Sequence, residues 1–100
     1  MAHALVNKLT AKPGQRDRVV EILIESGKLF DNNDACKLYL VAEAVDDPDT
    51  IWVIDRWASQ DEHERALKQP ELRPFVEESL PLLVGMPEQI KIRPVGGKGL

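Results

Sequence analysis

One hundred residues, 43% of them hydrophobic and 30% charged, suit one globular domain with a single modest core. The formal net charge of −4, with basic residues scattered among acids, argues against a nucleic-acid surface. The lone Cys36 excludes a disulfide framework and a cysteine-based zinc site. No run approaches the roughly 20 apolar residues of a membrane span. The opening MAHALVNKLT lacks the long apolar stretch of a signal peptide, so a cytoplasmic protein is expected.

His3 to Thr10 alternates, with His3, Leu5, Asn7 and Leu9 on one face and Ala4 and Val6 on the other, which predicts a first strand. Lys12-Pro13-Gly14 is a turn. A helix is expected from Gln15 to about Asp31, with Val19, Ile22, Leu23 and Leu29 as its apolar stripe. Asp31-Asn32-Asn33-Asp34 stops it, because these side chains favour local turns. Cys36 to Ala44 is a second strand, with Leu38, Leu40 and Ala42 opposite Tyr39 and Val41. The polar turn Asp46-Asp47-Pro48-Asp49 makes it one arm of a hairpin with a third strand, Thr50 to Trp57.

That third strand runs directly into a helix start. Ser59 and Glu62 have the spacing of a capping box, and the helix they open is expected to reach about Lys68 before Pro70 breaks it. A further helical segment begins near Glu71, tolerates Pro74 in its first turn and carries Phe75, Val76, Leu80 and Leu83 on its apolar side. Pro81 kinks or ends it, and Gly85 is a C-cap candidate. A last strand spans Glu88 to Pro94, with Ile90 and Ile92 expected inward and Gln89, Lys91 and Arg93 outward.

The order β-α-β-β-α-β is the split pattern of a ferredoxin-like α+β fold, an antiparallel sheet with helices on one face. Residues 1–94 form the domain and the glycine-rich 95–100 an arm. Since helices cover one face only, the other would expose Tyr39, Val41 and their neighbours as an apolar patch that a soluble monomer rarely tolerates. A second copy packed sheet to sheet is the economical cover, giving a homodimer with the arm free to reach the partner.

The chain resembles the antibiotic biosynthesis monooxygenase superfamily of small dimeric α+β barrels. The residues concerned are Lys12-Pro13-Gly14-Gln15 before the first helix, Cys36-Lys37-Leu38-Tyr39 entering strand two and Asp55-Arg56-Trp57-Ala58-Ser59 at the strand-to-helix junction. Lys68-Gln69-Pro70-Glu71-Leu72 ahead of Phe75 completes the set. The resemblance implies a pocket between sheet and helices, binding a small aromatic phenol or quinol that is oxidised by O2 without metal, flavin or haem. A deprotonated polycyclic phenol is itself electron-rich enough to reduce oxygen, so the protein need only bind it, favour the anion and shed water. Two departures stand out. Ala66 and Glu71 occupy positions where many quinol-oxidising members carry histidine. Haem-degrading relatives share an asparagine at Asn7 but have tryptophan and an iron-ligating histidine where this chain has Ala66 and Val76, so haem degradation is not expected.

Within that frame Asn7, Trp57 and His63 are the expected catalytic residues, for substrate positioning, pocket wall and proton transfer. Tyr39, Leu67 and Phe75 are expected to bind substrate. Each has a structural alternative. Trp57 could be a core aromatic and Trp52 an interface residue; Asn7 could satisfy a neighbouring backbone; Tyr39 could be interface packing. His63, among Glu62, Glu64 and Arg65, could simply be exposed. His3 is read as structural. Asp55 and Arg56 are read as an ion pair across the sheet, and Cys36 as a small hydrophobe. No metal site is supported by the spacing of the two histidines with a carboxylate. The rival function is a non-catalytic small-molecule-binding or stress-associated dimer of the same fold.

Overall fold

The computed structural model describes residues 2–99; Met1 and Leu100, the ends of the expected domain and arm, lie outside the described residues. The elements run β1 (His3–Thr10), α1 (Arg16–Gly27), β2 (Cys36–Glu43), β3 (Thr50–Trp57), α2 (Gln60–Leu67), α3 (Arg73–Ser79) and β4 (Glu88–Ile92). The sheet has the order β2-β3-β1-β4, with every neighbouring pair antiparallel. This is the ferredoxin-like α+β arrangement that the element order predicts. No helix among the described residues is long and apolar enough to cross a membrane.

The helices are more broken than their apolar spacing suggests. The first ends at Gly27 and tightens into a 3-10 turn over Lys28–Phe30, while α3 lies between two such turns, Pro70–Leu72 and Leu80–Leu82. Gly27 is where the chain passes against the Tyr39 ring: a Cβ there would lie 2.5 Å from Cε2. Gly27→Ala is therefore expected to cost about 1–3 kcal/mol as the ring or helix end shifts, read as a lowered urea midpoint. Ser59 does cap α2, its hydroxyl accepting from the Glu62 amide at 3.2 Å. The Glu62 carboxylate, however, accepts from Arg65 at 2.8 Å, so this contact turns it along the helix rather than back to the cap.

Strand register assigns the faces. His3, Leu5, Asn7 and Leu9 of β1 stand opposite Trp57, Asp55, Val53 and Ile51 of β3, all on the helix side. Tyr39 and Val41 pair with Asp55 and Val53 and share that side. The expectation that Tyr39 and Val41 mark the uncovered face is thus corrected. The open face instead carries Leu38, Leu40 and Ala42 of β2, Trp52 and Ile54 of β3, and Val6 of β1. Ile90 and Ile92 join them, because β4 sets Gln89 opposite Asn7 and Lys91 opposite Leu5. The inward orientation expected of Ile90 and Ile92 is therefore reversed: on this edge strand the apolar residues serve the open face. Leu38, Leu40 and Ile92 are each 45% exposed and Ile90 59%.

Two clusters fill the helix side. One joins Leu9, Ala11, Val19, Ile51, Val53 and Leu83; the other joins Leu5, Phe30, Trp57, Ala66 and Leu72. Between them the packing is incomplete, and that gap is the site.

Candidate active site

A cavity of about 290 Å³ lies between sheet and helices, with walls drawn from both clusters. Its sides are largely apolar: Leu9, Leu23, Phe30, Leu67, Leu72 and Val76. Polar groups converge from the sheet and from α2: Asn7, Asp55, His63 and Gln89. A mostly apolar pocket with a few convergent polar groups is the usual form of a small-molecule site.

Asp55 organises it. The side chain sits among apolar neighbours because β3 alternates Ile51, Val53, Asp55 and Trp57 towards the helices, and the residue is only 5% exposed. Its carboxylate accepts from Trp57 Nε1 at 2.7 Å and from Asn7 Nδ2 at 3.1 Å. His63 Nε2 lies 3.6 Å from Oδ2, the oxygen that also accepts from Trp57, an ion-pair distance rather than a hydrogen bond. Burial raises the Asp55 carboxyl above its ordinary value, against the opposing pull of Trp57, His63, Asn7 and His3. Asn7 also donates to the Val53 carbonyl at 3.1 Å and accepts from Gln89 Nε2 at 3.0 Å. A chain of donors thus runs from Gln89 through Asn7 to the carboxylate.

His63 is buried, not exposed as its charged neighbours in sequence allow, because the first turn of α2 folds it under the sheet end against Trp57, with ring centroids 5.1 Å apart. Burial lowers its pKa from 6.5, with Asp55 pulling the other way. At neutral pH it is therefore an unprotonated base. The linkage has a definite sign. A depressed folded-state pKa stabilises the fold above about 6.5, and that contribution is lost as pH falls through the folded value. Asp55, shifted upward, contributes in the opposite sense, most at acid pH and less as pH rises through its folded value. Between about pH 7.5 and about pH 5 the urea midpoint of the wild type should fall more than that of His63→Gln, which lacks the first term.

Of the sequence candidates, the structure brings Asn7, Trp57, His63, Tyr39 and Leu67 to the cavity lining. Phe75 is not among the lining residues; its helix neighbour Val76 is, since α3 starts after the Pro70–Leu72 turn and presents that residue instead. Tyr39 stands on the helix side of the sheet: its hydroxyl donates to the Leu23 carbonyl at 3.2 Å, and burial holds the phenol above its ordinary pKa. Asp55 and Gln89 were missed. The signal for Asp55 was its parity: it shares the face of Ile51, Val53 and Trp57, so pairing it with Arg56 on the opposite face was wrong. Val76 presents an apolar side chain to the cavity. Among the described residues no group of three or more His, Cys, Asp or Glu side chains is placed to hold a metal ion.

The antibiotic biosynthesis monooxygenase family model matches residues 2–78. The chain belongs to that family. A crystal structure from Chloroflexus aurantiacus, provisionally named as an antibiotic biosynthesis monooxygenase, is similar at 33% identity and a TM-score of 0.87, covering 99% of this chain and 98% of that one. SnoaB, a cofactor-independent oxygenase from Streptomyces nogalater, shares the fold at 17% identity and a TM-score of 0.84, with 99% and 98% of the chains covered. Rv0793 from Mycobacterium tuberculosis superposes with a TM-score of 0.87 at 15% identity, covering 99% of this chain and all (100%) of that one. No curated protein matches the chain.

Proposed function

We propose that the protein is a cofactor-independent monooxygenase that oxidises a small aromatic phenol or quinol with O2. The observation that supports this reading is the buried Asp55–His63 pair set into a largely apolar cavity. Family membership and the oxygenase among the fold neighbours agree with it.

The chemistry follows from the groups present. His63, unprotonated at neutral pH and set 3.6 Å from Asp55, takes a proton from the substrate on its imidazole ring. Asp55 stabilises the imidazolium so formed. The substrate anion gives one electron to O2, and the resulting radical pair combines to form a C–O bond. The peroxide then takes up a proton, its O–O bond breaks, the remaining hydrogen on that carbon leaves, and water departs. One oxygen atom stays on the product as a carbonyl and the other leaves as water, so SH2 + O2 gives S=O + H2O. Asn7 and Gln89 orient the substrate oxygen, while Leu67, Leu72, Phe30 and Trp57 exclude water and hold the rings.

The expected result is O2 consumption, on an oxygen electrode, with at least one member of a panel of hydroquinones and anthrone-type phenols. A flat trace with every member would contradict the reading. The rival, a non-catalytic small-molecule-binding dimer, draws support from one feature: Asn7, Gln89, Trp57 and Asp55 satisfy one another's hydrogen bonds, so the polar floor is stable without substrate. Tight phenol binding with no O2 uptake would favour it.

The open sheet face supports a homodimer as the working unit, with Leu38, Leu40, Trp52, Ile54, Ile90 and Ile92 at the contact and the 95–100 arm reaching across. Sedimentation should give a dimer at micromolar concentration and a monomer for Leu40→Glu; a wild-type monomer would contradict this assembly.

A further inference from the structure

Behind the Asp55–His63 pair, away from the cavity, lies a third titratable side chain. His3 opens β1 and is paired opposite Trp57, which turns its ring to the helix side. The residue is 9% exposed, and its ring centroid lies 5.7 Å from that of His63. Its Nε2 is buried and has no hydrogen-bond partner. An orphaned buried imidazole nitrogen is costly unless it has a use. His3 also lines a separate cleft at the end of the sheet with Ala2, Ser59, Gln60, Asp61, Ile92 and Arg93. Asp55, His63 and His3 therefore form a row from the floor of the cavity to a second opening on the surface.

We infer that these three side chains form one proton-sharing cluster, in which His3 Nε2 is the second nitrogen able to hold the proton taken at His63 and the cleft is the cluster's route to solvent. The catalytic use of the cluster rests on the monooxygenase reading; the sharing itself does not. The argument is one of charge and access. A carboxylate with two neutral imidazoles carries one negative charge, and a single added proton neutralises it, so accepting a substrate proton relieves buried charge rather than creating it. An aromatic ring filling the cavity covers the front side of His63, which leaves the His3 side as the path by which the cluster re-equilibrates with water. Burial acts most on His63, then Asp55 and His3; the other charged groups acting on it are Glu64 of its own helix and Lys91 of β4, which pull in opposite directions. Asp61 and Arg93 are the charged residues lining the cleft beside His3. His3 is a positioning residue in this scheme, acting through His63.

The test is a 15N NMR titration of both imidazoles in the intact protein. Sharing predicts that the wild-type His63 ring titrates in two steps, one of them reporting its neighbour's protonation. His3→Gln should leave His63 with a single step moved upward by about one pH unit, since a neighbouring cation is removed. Asp55→Asn should move His63 further downward. Single, independent steps in the wild type would overturn the inference, and this holds even if His3→Gln does not fold. An unchanged His63 titration in a folded His3→Gln variant would overturn it equally. Where a phenol is turned over, His3→Gln should lower kcat on the order of tenfold with little change in KM. Coupled titrations with no turnover of any phenol would retain the cluster and remove only the proposed reaction.

Discussion

Trp57→Ala is expected to destabilise the protein by about 3–5 kcal/mol, a large share of the total stability of a domain this size. Trp57 is 1% exposed and holds three parts of the structure together. Its ring meets Phe30 edge-on, with centroids 5.2 Å apart, and stacks at a tilt on His63. Its indole N–H donates to Asp55, so alanine removes core volume and strips a donor from a buried carboxylate at once. Trp57→Phe separates the two effects: it keeps most of the packing, should cost about 1–2 kcal/mol, and should push the Asp55 carboxyl further up. Urea denaturation of both variants checks the ordering. Equal costs for alanine and phenylalanine would show that the indole hydrogen bond, not the ring, carries the stability.

The second large effect belongs to Asp55→Asn, which should lower kcat by roughly 10²- to 10⁴-fold while the fold and most of the substrate affinity remain. A neutral amide no longer stabilises protonated His63, so the base loses proton affinity when the substrate must give up its proton. The amide also has one oxygen where the carboxylate offered two. Asn7 Nδ2 and Trp57 Nε1 now address different oxygens, and one of these two donors would lose its partner. That loss is expected to cost about 1–3 kcal/mol. Oxygen uptake at saturating substrate, with a thermal melt to confirm folding, measures both. A folded Asp55→Asn with wild-type kcat would remove the carboxylate from the mechanism.

The fold was legible because the signals for each element agree. Alternation in His3–Thr10, the β-branched and aromatic run Thr50–Trp57 that is apolar on both faces, the turn before Arg16 and the Ser59 cap together point to the split βαββαβ order, and the structure follows it. Face assignment was legible where a strand packs on both sides of its neighbours and failed at the edges. Leu38 and Leu40 against Tyr39 and Val41 are apolar on both faces of β2, so alternation alone could not say which face meets the helices. Ile90 and Ile92 look like core residues until the pairing with β1 is known, because they pack on an open face. The helix ends were read too long for a related reason: the apolar spacing continues past Gly27, but close approach to Tyr39 is a tertiary constraint.

In the site, Asn7 and Trp57 could be named from their positions on strands. Asp55 was hidden by its sequence neighbour, since Asp-Arg reads as an ion pair although adjacent strand residues point to opposite faces. His63 carried a charged sequence context that concealed its burial, and His3 became meaningful only when β1 and α2 came together at the sheet end. Gln89 belongs to the site solely through register, which sets it opposite Asn7.

The central claim is that this cavity places a phenolic anion where O2 can transfer one oxygen atom to it. Turnover under 18O2 with mass analysis of the product tests it most directly. The account predicts product carrying one labelled oxygen, with the second label in water, and labelled product formed roughly 10²- to 10⁴-fold more slowly by folded Asp55→Asn. Product formed without label, or labelled product formed by the variant at the wild-type rate, would contradict it.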